Sequence, residues 1–140
     1  MGLSLMKLFM AAQVGLYRLT GGRLGGSMRG FKVLLLTTFG RKSGKIRTTP
    51  LGYFVDGRNT IIIASNGGQD AHPSWYLNLK ANPHVQIQIQ DQLLEVEAQT
   101  AVGAERQRLW QKVVAEAPPY GVYETKTKRE IPVVVLVPLA

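Results

Sequence analysis

The sequence predicts an α+β domain that is mainly antiparallel β, closed into a small barrel or a strongly coiled sheet. Three observations predict it. About six apolar runs of strand length recur within 140 residues, a length that suits one domain. Turn signals, rather than long helical patterns, join most of those runs. No regular strand–helix–strand alternation appears, which argues against a doubly wound sheet. Apolar residues make up 45% of the chain, enough for a core and too many for disorder.

Residues 3–19 read as a helix, because Leu5, Leu8, Phe9, Ala12, Leu16 and Leu19 form a stripe at helical spacing. Lys7, Gln13 and Arg18 interrupt the apolar run, so it is too short and broken to span a bilayer. It also lacks the uninterrupted core and small-residue cleavage site of a signal peptide. A helix docked on the domain is the plainer expectation. A basic amphipathic helix lying on a membrane surface is the sharper one. Gly21-Gly22 ends the helix, and Gly25-Gly26 and Gly30 loosen the connection that follows.

Residues 31–38 (F-K-V-L-L-L-T-T) predict a central strand. Residues 50–56 predict the next, turned at Asp56-Gly57 into a third over 60–65. Pro73 opens a short helix, S-W-Y-L-N-L-K-A, which Asn82-Pro83 ends. Residues 84–90 and 93–99 alternate apolar with polar, as strands with one wet face do. A helix over 103–116 carries Leu109, Trp110, Val113 and Val114, and Pro118-Pro119 stops it. Residues 120–130 are polar and aromatic, with no clear period. Residues 131–137 (I-P-V-V-V-L-V) are the last buried strand, with Pro132 near its start.

The formal charge of +8 is unevenly placed. No acid precedes Asp56, whereas Lys7, Arg18, Arg23, Arg29, Lys32, Arg41, Lys42, Lys45 and Arg47 all do. Such a one-sided field attracts an anion: a nucleic acid, an acidic membrane, or a phosphorylated or carboxylated small molecule. There is no Cys, which excludes disulfides, thiolate metal sites and a Cys nucleophile and suits a reducing, cytoplasmic setting.

The stretch G-R-K-S-G-K at 40–45 concentrates the charge. It is not a phosphate-binding P-loop, because three residues rather than four separate Gly40 from Gly44 and Ile46 follows Lys45. No G-x-G-x-x-G dinucleotide fingerprint occurs either. Gly40 and Gly44 can let backbone N–H groups face inward as an anion nest. Arg41 and Arg47 can fork onto a phosphate or carboxylate, and Lys42 adds a point charge. A solvated hairpin loop would show the same charge run. The pair His72 and His84, without Cys or spaced carboxylates, does not suggest a metal site. No G-x-S-x-G elbow and no acid–base pair stand out. That absence suits an enzyme whose cofactor does the chemistry.

Five pieces in register carry a resemblance: L-L-T-T-F-G-R-K-S-G-K-I-R-T-T-P-L, I-A-S-N-G-G, H-P-S-W-Y-L-N-L-K-A-N-P, V-Q-I-Q-I and P-P-Y…I-P-V-V-V. From about residue 33 onward the chain resembles the deazaflavin-dependent nitroreductase family. The resemblance implies a single split β-barrel, FMN-binding-like, of about six strands with an N-terminal helix and two or three further helices. It divides the chain into an N-terminal helix with its Gly-rich connection (1–30) and a cofactor-binding barrel (31–140). It also implies deazaflavin coenzyme F-420, whose phosphodiester and oligoglutamate tail would suit the acid-free stretch, and hydride transfer to a quinone, nitroaromatic or other electron-poor acceptor.

By that resemblance Arg41, Lys42, Ser43, Gly44, Lys45 and Arg47 form the clamp for phosphate and tail, and Pro50 and Leu51 lie along the cofactor. Ser65, Asn66, Gly67 and Gly68, with Ser74, Trp75, Tyr76, Leu77 and Asn78, frame the ring. Tyr120 and Tyr123 line the acceptor side, with Tyr120 the better candidate for substrate contact. Asn66 stands where the family often has Lys, which implies one weaker contact to the tail or phosphate, and Ala117 stands where an aromatic can occur, which weakens the case for nitroimidazole activity. Membrane contact through the N-terminal helix, the oligomeric state and the physiological acceptor stay open. An FMN enzyme and a deazaflavin-binding or storage protein without turnover are the alternatives. Nucleic-acid binding is disfavoured, because the basic half lacks exposed aromatics between its cations.

Overall fold

The computed structural model describes residues 2–22, 27–28 and 31–139. The Gly25-Gly26 and Gly30 connection, the cations Arg23 and Arg29, and the side chains of Leu5, Lys7 and Phe9 lie outside the described residues. Helix α1 (Gly2–Thr20) leads to strand β1 (Ser27–Met28), then β2 (Phe31–Phe39) and β3 (Ile46–Gly52). Next come β4 (Phe54–Asp56), β5 (Asn59–Ile63) and a 3₁₀ turn over Asn66–Gly68. Helix α2 (Ser74–Ala81), β6 (His84–Ile89), β7 (Gln92–Thr100), α3 (Gly103–Glu116), α4 (Pro119–Thr125) and β8 (Val133–Pro138) complete the chain.

All pairings are antiparallel. The sheet runs β1-β2-β6-β7-β8-β5-β4, with β3 on β2. Leu35 pairs with Pro50 on one side and Gln88 on the other, and Ile62 pairs with Val134. Pro50 is tolerated because β3 is bonded to β2 alone, so no second strand needs its missing N–H.

The apolar runs of the sequence now have a cause. Strands β2, β5 and β8 are buried on both faces. One face of each, at Leu34, Leu36, Ile62, Val134 and Leu136, fills the inside of the sheet with Val85, Ile87 and Val96. The opposite face of β5 and β8, at Ile61, Ile63, Val133 and Val135, packs under α3 with Leu109, Trp110 and Val113. The opposite face of β2, at Val33 and Leu35, packs under α1 against Tyr17. Strands β6 and β7 keep one wet face, hence their alternation.

Three local readings shift. The basic loop is shorter than the sequence suggests, because β3 starts at Ile46 rather than Pro50, its β-branched start pairing with the end of β2. Residues 119–125 form a helix. Pro118-Pro119 ends α3 and also starts α4, since proline suits a first helical turn. The described leucines of the α1 stripe do not dock: Leu8 is 72% exposed, Leu16 46% and Leu19 85%. The docked side chain is Tyr17, 1% exposed, whose hydroxyl accepts from the Gln90 amide (2.7 Å) and donates to the Gln88 carbonyl (3.2 Å). That contact supports Gln90, a non-glycine residue at φ 54° in the β6–β7 turn.

Candidate functional site

Strand β2 ends in a closed basic turn. The Gly40 amide donates to the Lys45 carbonyl (2.8 Å), Gly44 to the Gly40 carbonyl (2.7 Å), and Lys45 to the Ser43 hydroxyl (3.2 Å). A Cβ on Gly40 would lie 2.8 Å from that hydroxyl, so a larger residue would displace the Ser43 side chain from its bond to Lys45. The Arg41 amide donates to Asn78 Oδ1 at 3.1 Å. Four amides of the turn thus have partners within the protein, so the expected backbone nest is not open. The side chains of Arg41, Lys42 and Arg47 stand around the turn and line one cleft beside it. Among the described residues no carboxylate pairs with these cations or with Lys45.

Asn78, 4% exposed on α2, joins this turn to the helix. Its Oδ1 also accepts from Arg41 Nη1 (2.9 Å), and its Nδ2 donates to Thr38 Oγ1 (3.4 Å). A second turn follows β5. Asn66, Gly67 and Gly68 take φ of 50°, 64° and 83° in succession. Asn is the residue besides Gly most at ease in that region, and its Nδ2 folds back to the Ala71 carbonyl (2.9 Å).

Two clefts open here. One, about 440 Å³, is lined by Gly40, Arg41, Lys42, Ser43, Arg47, Thr49, Ser74, Trp75 and Asn78. The other, about 460 Å³, is lined by Thr49, Pro50, Leu51, Gly52, Ile63, Ser65, Asn66, Gly67, Gln69, Pro73, Trp75 and Tyr120. Thr49 and Trp75 belong to both, so the two join into one groove, cationic at one end and aromatic at the other. Tyr120 stands edge-on to Phe54 (5.7 Å between centroids) and to Tyr123 (5.6 Å). Burial, and then the nearby Tyr123, raise the Tyr120 pKa above the usual tyrosine value, so its phenol is neutral at ordinary pH.

The family described as F420H(2)-dependent quinone reductase matches residues 9–138 of this chain. The chain belongs to that family. A quinone reductase of the same description from Mycobacterium tuberculosis is 43% identical over 125 residues, which are 86% of this chain and 84% of its own. A solved reductase dependent on the same reduced cofactor, FDR-A, is 44% identical, with a TM-score of 0.68 over 74% of this chain and 92% of its own. A solved chain described as a domain-swapped dimer is 41% identical, with a TM-score of 0.69 over 79% of this chain and 87% of its own. The fold of this quinone reductase family member is accordingly a split β-barrel, mostly antiparallel, with flanking helices.

In this family member the groove gathers most residues singled out by sequence, but not all. Gly44 and Lys45 are exposed on the turn and do not line it. Gly68 is buried at the back of the turn after β5, where a Cβ would lie 3.1 Å from the Tyr123 carbonyl oxygen. Tyr76 points into the core, its hydroxyl 3.1 Å from Thr100 Oγ1, and Leu77 packs on the same core. Tyr123 packs behind Tyr120. Ala117 is fully buried at the end of α3, away from the groove. Thr49, Gly52, Ile63, Gln69 and Pro73 line the groove without having been anticipated. Thr49 had a signal: once β3 starts at Ile46, strand alternation puts Arg47, Thr49 and Leu51 on one face.

Proposed function

We propose that the groove holds reduced coenzyme F-420 and that the chain uses it to reduce a quinone. When bound, the coenzyme supplies the hydride. The observation that carries this reading is the continuity of the groove past Thr49 and Trp75, from cations with no acidic partner to an aromatic, largely apolar end. Lys42 and Arg47, with Arg41 held by Asn78, would take the phosphate and the carboxylates of the tail. Trp75 and the turn at Ser65–Gly67 would frame the ring, and Pro50 and Leu51 would line its path. Tyr120 lies on the acceptor side. Its neutral phenol can donate a hydrogen bond to the quinone oxygen, where negative charge grows as hydride arrives.

Titration of the cofactor's fluorescence with purified protein, followed by turnover with menadione, tests this reading. Tight binding and turnover are expected. Tight binding of FMN with none of the deazaflavin would refute it, and binding without turnover of any quinone would leave only a carrier.

A second reading concerns α1, which we propose as a peripheral membrane contact appended through residues 1–30 to the barrel at 31–140. No helix among the described residues is long and apolar enough to cross a membrane. Leu8, Leu16 and Leu19 nonetheless face solvent on a helix whose last turn carries Arg18, a pattern that suits an anionic lipid surface. Cosedimentation with phosphatidylglycerol vesicles should fall when Leu8 and Leu19 are changed to Ser. Equal cosedimentation of the variant would remove this reading.

A further inference from the structure

Arg129 lies outside the groove, in the stretch after α4, yet its guanidinium is spent on the ring-side connection. Nε donates to the Gln69 carbonyl at 2.9 Å, and Nη2 donates to the carbonyls of Ala64 (3.2 Å) and Ser65 (2.8 Å). Nη1 stands 3.0 Å from Nδ1 of His72. A guanidinium has donors only, so His72 accepts with Nδ1 and carries its proton on Nε2. One side chain therefore ties the start of the connection, at Ala64, to its end, just before Pro73 and Trp75.

The neighbourhood reinforces the tie. Thr127 donates to Asp70 Oδ1 at 2.9 Å. A Cβ on Gly68 would lie 3.0 Å from Lys126 Cβ, so the stretch after α4 packs directly on the turn. The turn itself carries three successive positive φ values at Asn66, Gly67 and Gly68, a conformation these residue types adopt readily, so its position is set by what it is bonded to.

We propose that Arg129 is a positioning residue for the cofactor ring, acting through the 64–72 connection, and that His72 makes this anchor sensitive to acid. The proposal rests on the reading that the ring lies beside Ser65–Gly67. Protonation would set an N–H of His72 against an N–H of a fixed cation. The charged and titratable groups around the imidazole are Arg129 from the stretch after α4, and Lys80 and Tyr76 from α2, the Tyr76 ring 5.0 Å away between centroids. Asp70, the carboxylate of the same connection, is engaged with Thr127. Burial, Arg129 and Lys80 all lower the His72 pKa, so the accepting form is the one present at neutral pH.

The test uses the full chain and two readouts. In the free protein, hydrogen exchange should quicken in R129A at the amides of Gly68 and Gln69, which bond the carbonyls of Ser65 and Asn66, while the amides of β2 stay protected. In turnover with menadione, R129A should raise the KM for reduced deazaflavin about ten-fold or more, and added guanidinium should recover part of the loss. R129K keeps the charge but not the fork, so it should resemble R129A. Because the folded His72 pKa is lowered, the wild-type KM should climb only as pH falls through a value beneath that of an ordinary histidine. H72N, whose amide oxygen accepts without titrating, should flatten that climb.

Unchanged exchange at Gly68 and Gln69 in R129A, a wild-type KM in R129K, or an H72N pH profile that follows the wild type would each overturn the proposal. Should R129A not fold, R129K and H72N carry the same comparisons. Failure of the wild type to bind reduced deazaflavin at neutral pH would refute the cofactor reading instead, and exchange in the free protein would still judge the anchor.

Discussion

Asn78 is a small side chain with a large share in the basic end of the groove. Its buried amide oxygen holds both the backbone and the guanidinium of Arg41. N78A leaves those two donors without their acceptor, at a cost of about 1–3 kcal/mol. Chemical denaturation should show that loss, and fluorescence titration should show weaker cofactor binding. K42A, on the exposed side of the same turn, should weaken binding alone and leave the unfolding midpoint in place. Tyr120 makes the opposite test at the far end. Y120F should lower quinone turnover on the order of a hundred- to a thousand-fold while cofactor affinity holds, the scale expected for one donor at a site of growing charge. Equal loss of affinity would mean that Tyr120 supports the ring rather than the acceptor.

Among the elements, α1 docks, among its described side chains, chiefly through Tyr17, with Val14 half-buried beside it and Arg18 donating to Thr48 Oγ1 at 3.2 Å. Tyr17 packs on Val33 and Leu35 and bonds both Gln88 and Gln90. Y17F keeps the packing but strands a carbonyl and an amide at the β6–β7 turn. It should cost about 1–3 kcal/mol in urea unfolding without changing the quinone KM. Helix α4 works differently. It links the aromatic end of the groove to the turn at Asn66–Gly68, because Tyr120 lines the groove while Gly68 packs against the end of the same helix. Gly68→Ala would force a Cβ against Lys126 and the Tyr123 carbonyl at a positive φ, so both walls should shift together. Such a variant should lose turnover and cofactor affinity in parallel.

At the scale of the whole molecule, charge and pH act in predictable directions. The cations of the basic turn are exposed, so salt screens them. The KM for the anionic cofactor should rise between low and physiological ionic strength, while that for an uncharged quinone should not. For stability, the folded His72 pKa lies below its unfolded value. The unfolded chain therefore takes up that proton first. The contribution is intact above about pH 6.5 and is lost as pH falls toward and through the lower folded value. Denaturant midpoints measured between pH 7 and pH 5 should decline in the wild type and decline less in H72N.

The same scale separates what could be read from residue order from what required the third dimension. The antiparallel barrel was legible because its cause is local. Strands buried on both faces need continuous apolar runs, and strands with one wet face need alternation. Most of the groove was legible too, because cations without acids, a turn with positive φ and an aromatic helix start each leave a compositional trace. The tertiary structure alone decided which face of α1 docks, since a leucine stripe marks apolar surface but not its partner, and one buried Tyr17 outweighs it. It also decided that the amides of Gly40, Gly44 and Lys45 bond within the turn and that of Arg41 bonds Asn78. It brought Arg129 and His72 to the ring-side turn from 57 residues apart. Hydrogen bonds across that distance depend on how strands and helices stack, and no periodicity along the chain records them.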